Sequence, residues 1–506
     1  MDECCRSKKT ESLNIPLKGA LQSATISGLG WSCVSQLLQM VLQFIVIAIL
    51  AHILNPEDFG TIAKITIFTG FLRTMGELGF NTALVQCQDV DRRHLDTVFW
   101  LTSVSGVLLT FLTVLLAPFI ASFYEQPLLK SLMITLSFTF FITSLSTVHQ
   151  AILQKGLKFQ QIAKVEIGAT FLAGICAVGF ACNGAGLWSL VVQTLVGACT
   201  LTFLLWHLCR WRPDFSFDHA AYRQMHRFSM NLLGFNGFNY LIRNFDNLLI
   251  GKFLGSTMLG IYSFAYNLMI LPVSQITSIT SRVMFSALSS IKDDIERVRG
   301  IFLMSTRIIA LLAFPVIVGM FIVAEPFVSL VYGDMWLPVV PVFKVLCISG
   351  LLQPIGASFG WIFTSQGRTD LMLKFGVYSG IIYLISFIIG LQWGILGVAW
   401  SYVISGYVFI WYPAWTIPCR LIDLKFSQML SNLYAPFFAS ISMGGMVCGI
   451  DRIFTSKWSP GFRCITSILL GVLIYTAILC IFRLRAYLEA KNFILVLRRQ
   501  IFTTDY

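Results

Sequence analysis

The chain has 506 residues, of which 56% are hydrophobic and only 12% charged, with a formal net charge of +12. Mean hydropathy is +0.77, whereas soluble domains carry roughly 25% charged residues. That excludes an ordinary water-soluble enzyme and indicates a chain built for lipid. Most of the 13 cysteines, Cys33, Cys176, Cys199, Cys347, Cys448 and Cys480 among them, lie in apolar segments, where cysteine acts as a small hydrophobe. Cys4-Cys5 lacks metal-ligand spacing and the six histidines are scattered, so no metal site and no cofactor is expected.

In chain order, residues 1–21 form a polar basic leader carrying Arg6, Lys8, Lys9 and Lys18, without the pattern of a cleaved signal peptide. Apolar runs of membrane-spanning length follow. About fourteen are predicted as helices, near 22–52, 60–85, 95–122, 130–153, 163–182, 186–208, 228–252, 259–281, 301–324, 338–364, 371–391, 394–417, 429–450 and 464–483. The expected domains are an N-lobe at 22–213, a C-lobe at 214–420, a final helix pair within 421–485 and a tail at 486–506. Basic residues alternate between the connections. One side holds the leader, Arg92/Arg93, Lys155/Lys158/Lys164, Arg210/Arg212/Arg223/Arg227, Arg282/Lys292/Arg297/Arg299, Arg368/Lys374, Arg420/Lys425 and the tail. The other side has only Lys130, Lys252, Arg452, Lys457 and Arg463. By the positive-inside rule the number of spans is even and both termini are cytoplasmic. The positive charge then meets anionic lipid headgroups, not nucleic acid.

The two lobes read as a duplication. The segment Ala51-His52-Ile53-Leu54-Asn55-Pro56-Glu57-Asp58-Phe59-Gly60 reappears 200 positions on as Gly251-Lys252-Phe253-Leu254-Gly255-Ser256-Thr257-Met258-Leu259-Gly260. Gln36, Gln39 and Gln43 fall on Asn236, Asn239 and Arg243, a polar stripe on one helical face in each copy. Further on, Gln154-Lys155-Gly156 matches Ser365-Gln366-Gly367 and Gly186-Leu187 matches Gly397-Val398 at an offset of 211. An insertion in the second copy is therefore expected in the loop Lys292–Arg299 or around Tyr332–Pro341. Six helices per copy make the copies parallel, related by a pseudo-two-fold along the membrane normal, with a substrate cavity expected between them.

A charge at a helix centre costs roughly 2.5–3.5 kcal/mol on the insertion scale and needs a reason. Lys64, Lys344, Glu166 and Arg307 lie near helix ends and read as snorkelling residues. Arg73 and Glu77 at i, i+4, and Arg243 and Asp246 at i, i+3, lie mid-helix. Each pair can meet on one face, either as a self-neutralised lock or lining a wet cavity. Arginine there suits phosphate oxygens. Asp246 and Glu77 suit coupling to H+ or Na+, and Tyr240, Tyr262, Tyr266, Trp31 and Trp361 suit stacking on sugars.

The segment Arg243-Asn244-Phe245-Asp246-Asn247-Leu248-Leu249-Ile250-Gly251-Lys252-Phe253-Leu254-Gly255, followed by Leu259-Gly260-Ile261-Tyr262-Ser263-Phe264-Ala265, resembles the seventh–eighth helix signature of bacterial polysaccharide-repeat-unit flippases. Leu54-Asn55-Pro56-Glu57-Asp58-Phe59-Gly60 and Glu77-Leu78-Gly79-Phe80-Asn81-Thr82-Ala83-Leu84-Val85-Gln86 resemble the matching parts of helices one and two. These proteins belong to the multidrug/oligosaccharidyl-lipid/polysaccharide exporter superfamily, and the colanic-acid-exporter-like group is the nearest in character. The resemblance implies an all-α polytopic transporter, not an enzyme. It would move an undecaprenyl-diphosphate-linked oligosaccharide across the bacterial inner membrane for O antigen, capsule or exopolysaccharide, alongside a polymerase and a chain-length regulator. On that view Arg73 and Arg243 contact the diphosphate, and Gln36, Gln39, Gln43, Asn236 and Asn239 contact sugar hydroxyls. A cation-coupled drug antiporter of the same superfamily is the alternative, and a membrane polysaccharide polymerase or ligase a further one. The absence of a Walker-type loop argues against direct ATP use.

Overall fold

The computed structural model describes residues 18–76, 84, 91–216, 218, 237–291, 294–455 and 458–481. Within them the chain is helical throughout, without strands. Eleven runs are long and apolar enough to cross a bilayer, and one of these, Thr369–Leu421, turns back at Leu391–Trp393 and so holds two of the expected spans. The protein is an all-α polytopic membrane protein. Its contacts group into two units: one of residues up to Leu54 with Thr61–Asn244, the other of Asn55–Gly60 with Phe245 onward.

The first unit contains α1 (Lys18–Ile53), most of α2 (Pro56–Gly76), α3 (Arg92–Phe123), α4 (Leu128–Ser144), α5 (Thr147–Lys155), α6 (Phe159–Cys182) and α7 (Trp188–Leu208). In lipid, helices gain little from burying apolar surface against each other, so close van der Waals fit decides which faces meet. The inner face of α6 is correspondingly small: Ala163, Ala169, Ala173, Ala177 and Ala181 are buried. Gly174 on the same helix receives Val46 of α1 so closely that a Cβ there would lie 2.5 Å from the valine methyl. The predicted fourth span is broken into α4 and α5 at Leu145–Ser146. A break at membrane depth leaves backbone carbonyls without helical partners, and neighbouring side chains must bond them. Thr202 Oγ1 donates to Ile142 O at 3.0 Å and Trp206 Nε1 to Leu145 O at 2.9 Å, both from α7.

The connection after α7 is tied to the end of α3. The buried carboxylate of Asp96 accepts from Asp214 N at 3.1 Å and from Ser216 Oγ at 3.0 Å. Arg92 pairs with Asp214 at 2.8 Å, and Phe215 stacks on Trp100.

The second unit contains α8 (Phe245–Phe253), α9 (Gly255–Ser290), α10 (Ile295–Tyr332), α11 (Val339–Gly350), α12 (Gln353–Ser365), α13 (Thr369–Gly390), α14 (Gly394–Ser405), α15 (Trp411–Leu421), α16 (Phe426–Ile450) and α17 (Pro460–Ile481). Its fourth span is also broken, between α11 and α12, and here Tyr407 Oη donates to Ile348 O at 2.8 Å. The two sequence copies thus share an interruption in the same helix, repaired each time from the sixth. Part of the expected insertion lies not in a loop but in α10, which has 38 residues against 32 in its counterpart α3.

Proline removes the bond to the carbonyl four residues before it. Pro315 in α10 therefore frees Leu311 O, and Tyr475 Oη of α17 donates to that oxygen at 2.9 Å. The final helix pair is fastened to α10 by this bond and by Asn432, whose Nδ2 donates to Leu303 O at 2.8 Å and whose Oδ1 accepts from Arg307 Nε at 2.7 Å. Tyr475→Phe is expected to lower unfolding stability in detergent by about 0.6–1.7 kcal/mol, the range for hydrogen bonds between membrane helices. An unchanged midpoint would show that the freed carbonyl needs no partner.

Candidate functional site

The start of α2 follows from its sequence. Pro56 takes the first helical position, Glu57 and Asp58 favour the positive end of the helix dipole, and Asp58 Oδ2 accepts from Asn55 N at 3.1 Å. Farther along α2, Arg73 is exposed on the first unit. The helical stretch 237–243 of predicted helix seven lies in that same unit, against α2. Tyr240 Oη donates to Thr66 O at 3.0 Å, its ring covers Gly70, and Gly237 sits over Met75. Arg73 is close enough to Tyr240 to act on it electrostatically. Asn239 and Arg243, on the same stretch, are exposed. The first unit thus brings Arg73, Asn239 and Arg243 onto two packed elements.

On α1, Gln36 and Gln39 are half-buried and Gln43 is exposed. Gln39 Nε2 is shared between Ser35 Oγ at 2.8 Å and Glu166 Oε2 at 3.0 Å. Glu166 therefore does more than snorkel: it has a partner on the polar stripe. Lys64 also departs from expectation. It is buried, its Nζ lying 3.4 Å from Gln126 Oε1 and over the Tyr124 ring. Its distance from the helix end had suggested a route to water, but its face of α2 points at the Tyr124–Gln126 turn. Arg307 is half-buried and donates to Asn432 Oδ1, so it too has a protein partner.

Predicted helix seven does not run straight through. It breaks at Asn244, whose backbone N–H and side-chain Nδ2 both return to Tyr240 O. α8 then begins at Phe245, in the second unit. The break separates Arg243 from Asp246, so the expected pair between them does not form. Asp246 is buried in the first turn of α8, where backbone N–H groups favour a carboxylate. Its Oδ1 accepts from Asn247 N at 2.7 Å and its Oδ2 from Tyr262 Oη at 2.9 Å. Tyr262 is fully buried and Trp361 lies in an apolar cluster with Phe302, Phe359 and Trp415, so neither is placed to stack on a sugar. The sequence had not marked Asn247, whose buried Oδ1 has no hydrogen-bond partner beside the Asp246 carboxylate. Its position directly after the aspartate was the only available signal. Glu77 and Asn236 lie outside the described residues.

Among the described residues no cluster of His, Cys, Asp or Glu could hold a metal ion. The arrangement offers two kinds of chemistry. The first unit presents exposed guanidinium and amide groups, suited to an anionic, hydroxyl-rich ligand. The second holds a buried carboxylate, bonded to Asn247 N and Tyr262 Oη.

Residues 49–341 match the family described as polysaccharide biosynthesis protein. The chain is 31% identical over 473 residues to the teichuronic acid biosynthesis protein TuaB of Bacillus subtilis, covering 92% of this chain and 96% of that one. It is 27% identical over 429 residues to the lipopolysaccharide biosynthesis protein WzxC of Escherichia coli, covering 83% and 86%. Its fold is that of the lipid II flippase MurJ in an inward closed conformation, at a TM-score of 0.70 and 16% identity, over 90% of this chain and 98% of MurJ. With more than half its length inside the family match and a near full-length relative in TuaB, the chain is a member of the polysaccharide biosynthesis protein family.

Proposed function

We propose that this protein is a flippase that carries a lipid-linked oligosaccharide, an undecaprenyl-diphosphate repeat unit, from the inner to the outer leaflet of the bacterial inner membrane for surface polysaccharide synthesis. The observation that carries this is the placement of Arg243. It is exposed on the first unit, and the carboxylate expected to neutralise it is engaged elsewhere. An arginine kept within a membrane segment without that partner suits a ligand that brings its own negative charge. Arg73 and Arg243 attract the diphosphate, and Gln36, Gln43, Asn236 and Asn239 bond sugar hydroxyls. Gln39 serves the same surface through Ser35 and Glu166. Both termini are cytoplasmic, as the distribution of Lys and Arg requires. The like-oriented copies alternate access to the two leaflets. Moving negative charge outward runs with an inside-negative potential, worth about 2.3 kcal/mol per charge per 100 mV.

Support comes from the relatives named for teichuronic acid and lipopolysaccharide biosynthesis. The test is deletion of the gene in its host. Surface polysaccharide is expected to disappear while the lipid-linked repeat unit accumulates, still labelled by a probe confined to the cytoplasmic side. Undiminished polymer would reject the proposal.

Asp246, with Glu77, is the proposed coupling group for H+ or Na+. Asp246→Asn removes the charge while Oδ1 still accepts from Asn247 N and the new Nδ2 donates to Tyr262 Oη, whose hydroxyl can turn to accept. The variant is expected to reach normal levels in the membrane while export loses its dependence on the ion gradient. Unchanged gradient dependence would remove Asp246 from that role.

A further inference from the structure

Gln39 on α1 and Glu166 on α6 meet within the first unit. Gln39 Nε2 donates to Glu166 Oε2 at 3.0 Å and to Ser35 Oγ, one turn earlier on α1, at 2.8 Å. Ser35 is buried, and Gln39 and Glu166 are half-buried. The two helices are held in register close by. Two turns farther along each of them, Gly174 of α6 receives Val46 of α1 at a range that leaves no room for a Cβ.

The contact between Gln39 and Glu166 has a direction. A primary amide carries two N–H donors at one end and a carbonyl acceptor at the other, whereas a carboxylate only accepts. The amide nitrogen of Gln39 is therefore the end that faces Glu166. Its two N–H groups are then taken, one by Glu166 and one by Ser35. What Gln39 has left for a ligand is its carbonyl oxygen. A glutamine without such neighbours can turn over and offer either end. Gln39 can do so only by setting its own oxygen against a carboxylate.

The helix fold itself does not call for the acid. A carboxylate within a membrane helix is costly, so its presence asks for a use. At the offset of 211 residues Glu166 corresponds to Val377, and the second copy builds the matching helix, α13, without it. At the offset of 200 residues Gln39 corresponds to Asn239, which is exposed. The polar stripe is thus common to both copies, and the acid that orients one of its members belongs to the first copy.

We infer that Glu166 is a positioning residue that fixes Gln39 as a hydrogen-bond acceptor, so that α1 selects a donor group of the sugar, a hydroxyl or an amide N–H, and disfavours an acidic one. The inference rests on the proposed flippase function and sharpens it for Gln39. The carboxylate adds to the selection, because its negative charge beside the amide repels a sugar carboxylate or a phosphate. The first unit then carries two chemically distinct parts. The guanidinium groups of Arg73 and Arg243 suit the diphosphate, and an oriented carbonyl oxygen on α1 suits the neutral part of the sugar.

The test uses the purified full chain in nanodiscs and two probes. One is the lipid-linked repeat unit extracted from the deletion strain, and the other is bare undecaprenyl diphosphate, which carries no sugar. Glu166→Ala is expected to weaken binding of the first probe about three- to tenfold, the factor for one hydrogen bond, and to leave binding of the second unchanged. Gln39→Glu alone sets two carboxylates against each other and should weaken the first probe at least as much. Gln39→Glu combined with Glu166→Gln reverses the pair. The amide introduced at position 166 donates to the carboxylate introduced at position 39, which again turns an oxygen toward the ligand, so binding of the repeat unit should recover. Equal weakening of both probes, undiminished repeat-unit binding by Glu166→Ala, or no recovery in a double variant of unchanged thermal midpoint would overturn the positioning role while leaving the flippase proposal standing. Failure of the folded wild-type protein to bind either probe would overturn both.

Discussion

Arg243→Ala is expected to abolish polymer export while protein abundance in the membrane stays normal, and Arg73→Ala to act in the same direction. Both side chains are exposed on the first unit, so truncating either leaves no cavity. The loss falls on the ligand instead. A hydrogen bond to a charged group is worth about 1.5–3 kcal/mol, so each substitution should slow export at least tenfold at limiting substrate. Arg243→Lys keeps the charge but not the two-pronged fork, and should recover only part of the activity. Measuring surface polymer alongside membrane protein levels separates this from misfolding. Normal export from a well-expressed Arg243→Ala strain would remove the residue from the site.

Gly60→Val and Gly260→Val are expected to be the most damaging single changes away from the charged residues. Both glycines belong to the second unit and come from the matching turns of the two sequence copies. A Cβ built on Gly60 would overlap Ser256 O and lie 2.8 Å from Gly260 N. One on Gly260 would overlap Pro56 O and lie 3.0 Å from Gly60 N. The contact is reciprocal: residue 60 meets 256 and residue 260 meets 56. Backbone at this range cannot shift as a side chain can. Overpacking costs about 1–3 kcal/mol in ordinary cores and more where the obstacle is backbone. Phe59 beside Gly60 packs edge-on to Phe264 and Trp336, so the start of α2 has little room to retreat. Each valine variant should lose export and lower the thermal midpoint. Retention of both would mean that the two turns separate without cost.

The membrane class and the fourteen apolar stretches were legible because hydropathy is summed over many residues, and each predicted stretch coincides with helix in the described regions. The repeat was legible because the ungapped alignment ending at Gly60 and Gly260 keeps Leu54/Leu254 and the two glycines within the same pattern of apolar helix, polar turn and apolar helix. What escaped depends on which face a residue occupies. Lys64 was read from its distance to a helix end, but burial depends on azimuth, and its face of α2 meets Tyr124 and Gln126. The break in helix seven was hidden because Asn244 is neither proline nor glycine, and its bond back to Tyr240 O is visible only in three dimensions. The pairing of Arg243 with Asp246 failed for that reason: spacing of i, i+3 brings side chains together only in a continuous helix. Pro315 announced a freed carbonyl, yet nothing in the sequence named Tyr475, in the final helix, as the group that bonds it.

The most direct test of the account is transfer by the purified protein in sealed vesicles that hold a labelled polyprenyl-diphosphate oligosaccharide in one leaflet. Protein-dependent appearance of the sugar in the opposite leaflet is predicted, lost with Arg243→Ala and absent for a polyprenyl-linked sugar that lacks the diphosphate. Equal transfer with and without the diphosphate, or no transfer by the folded wild-type protein under an inside-negative potential, would contradict it.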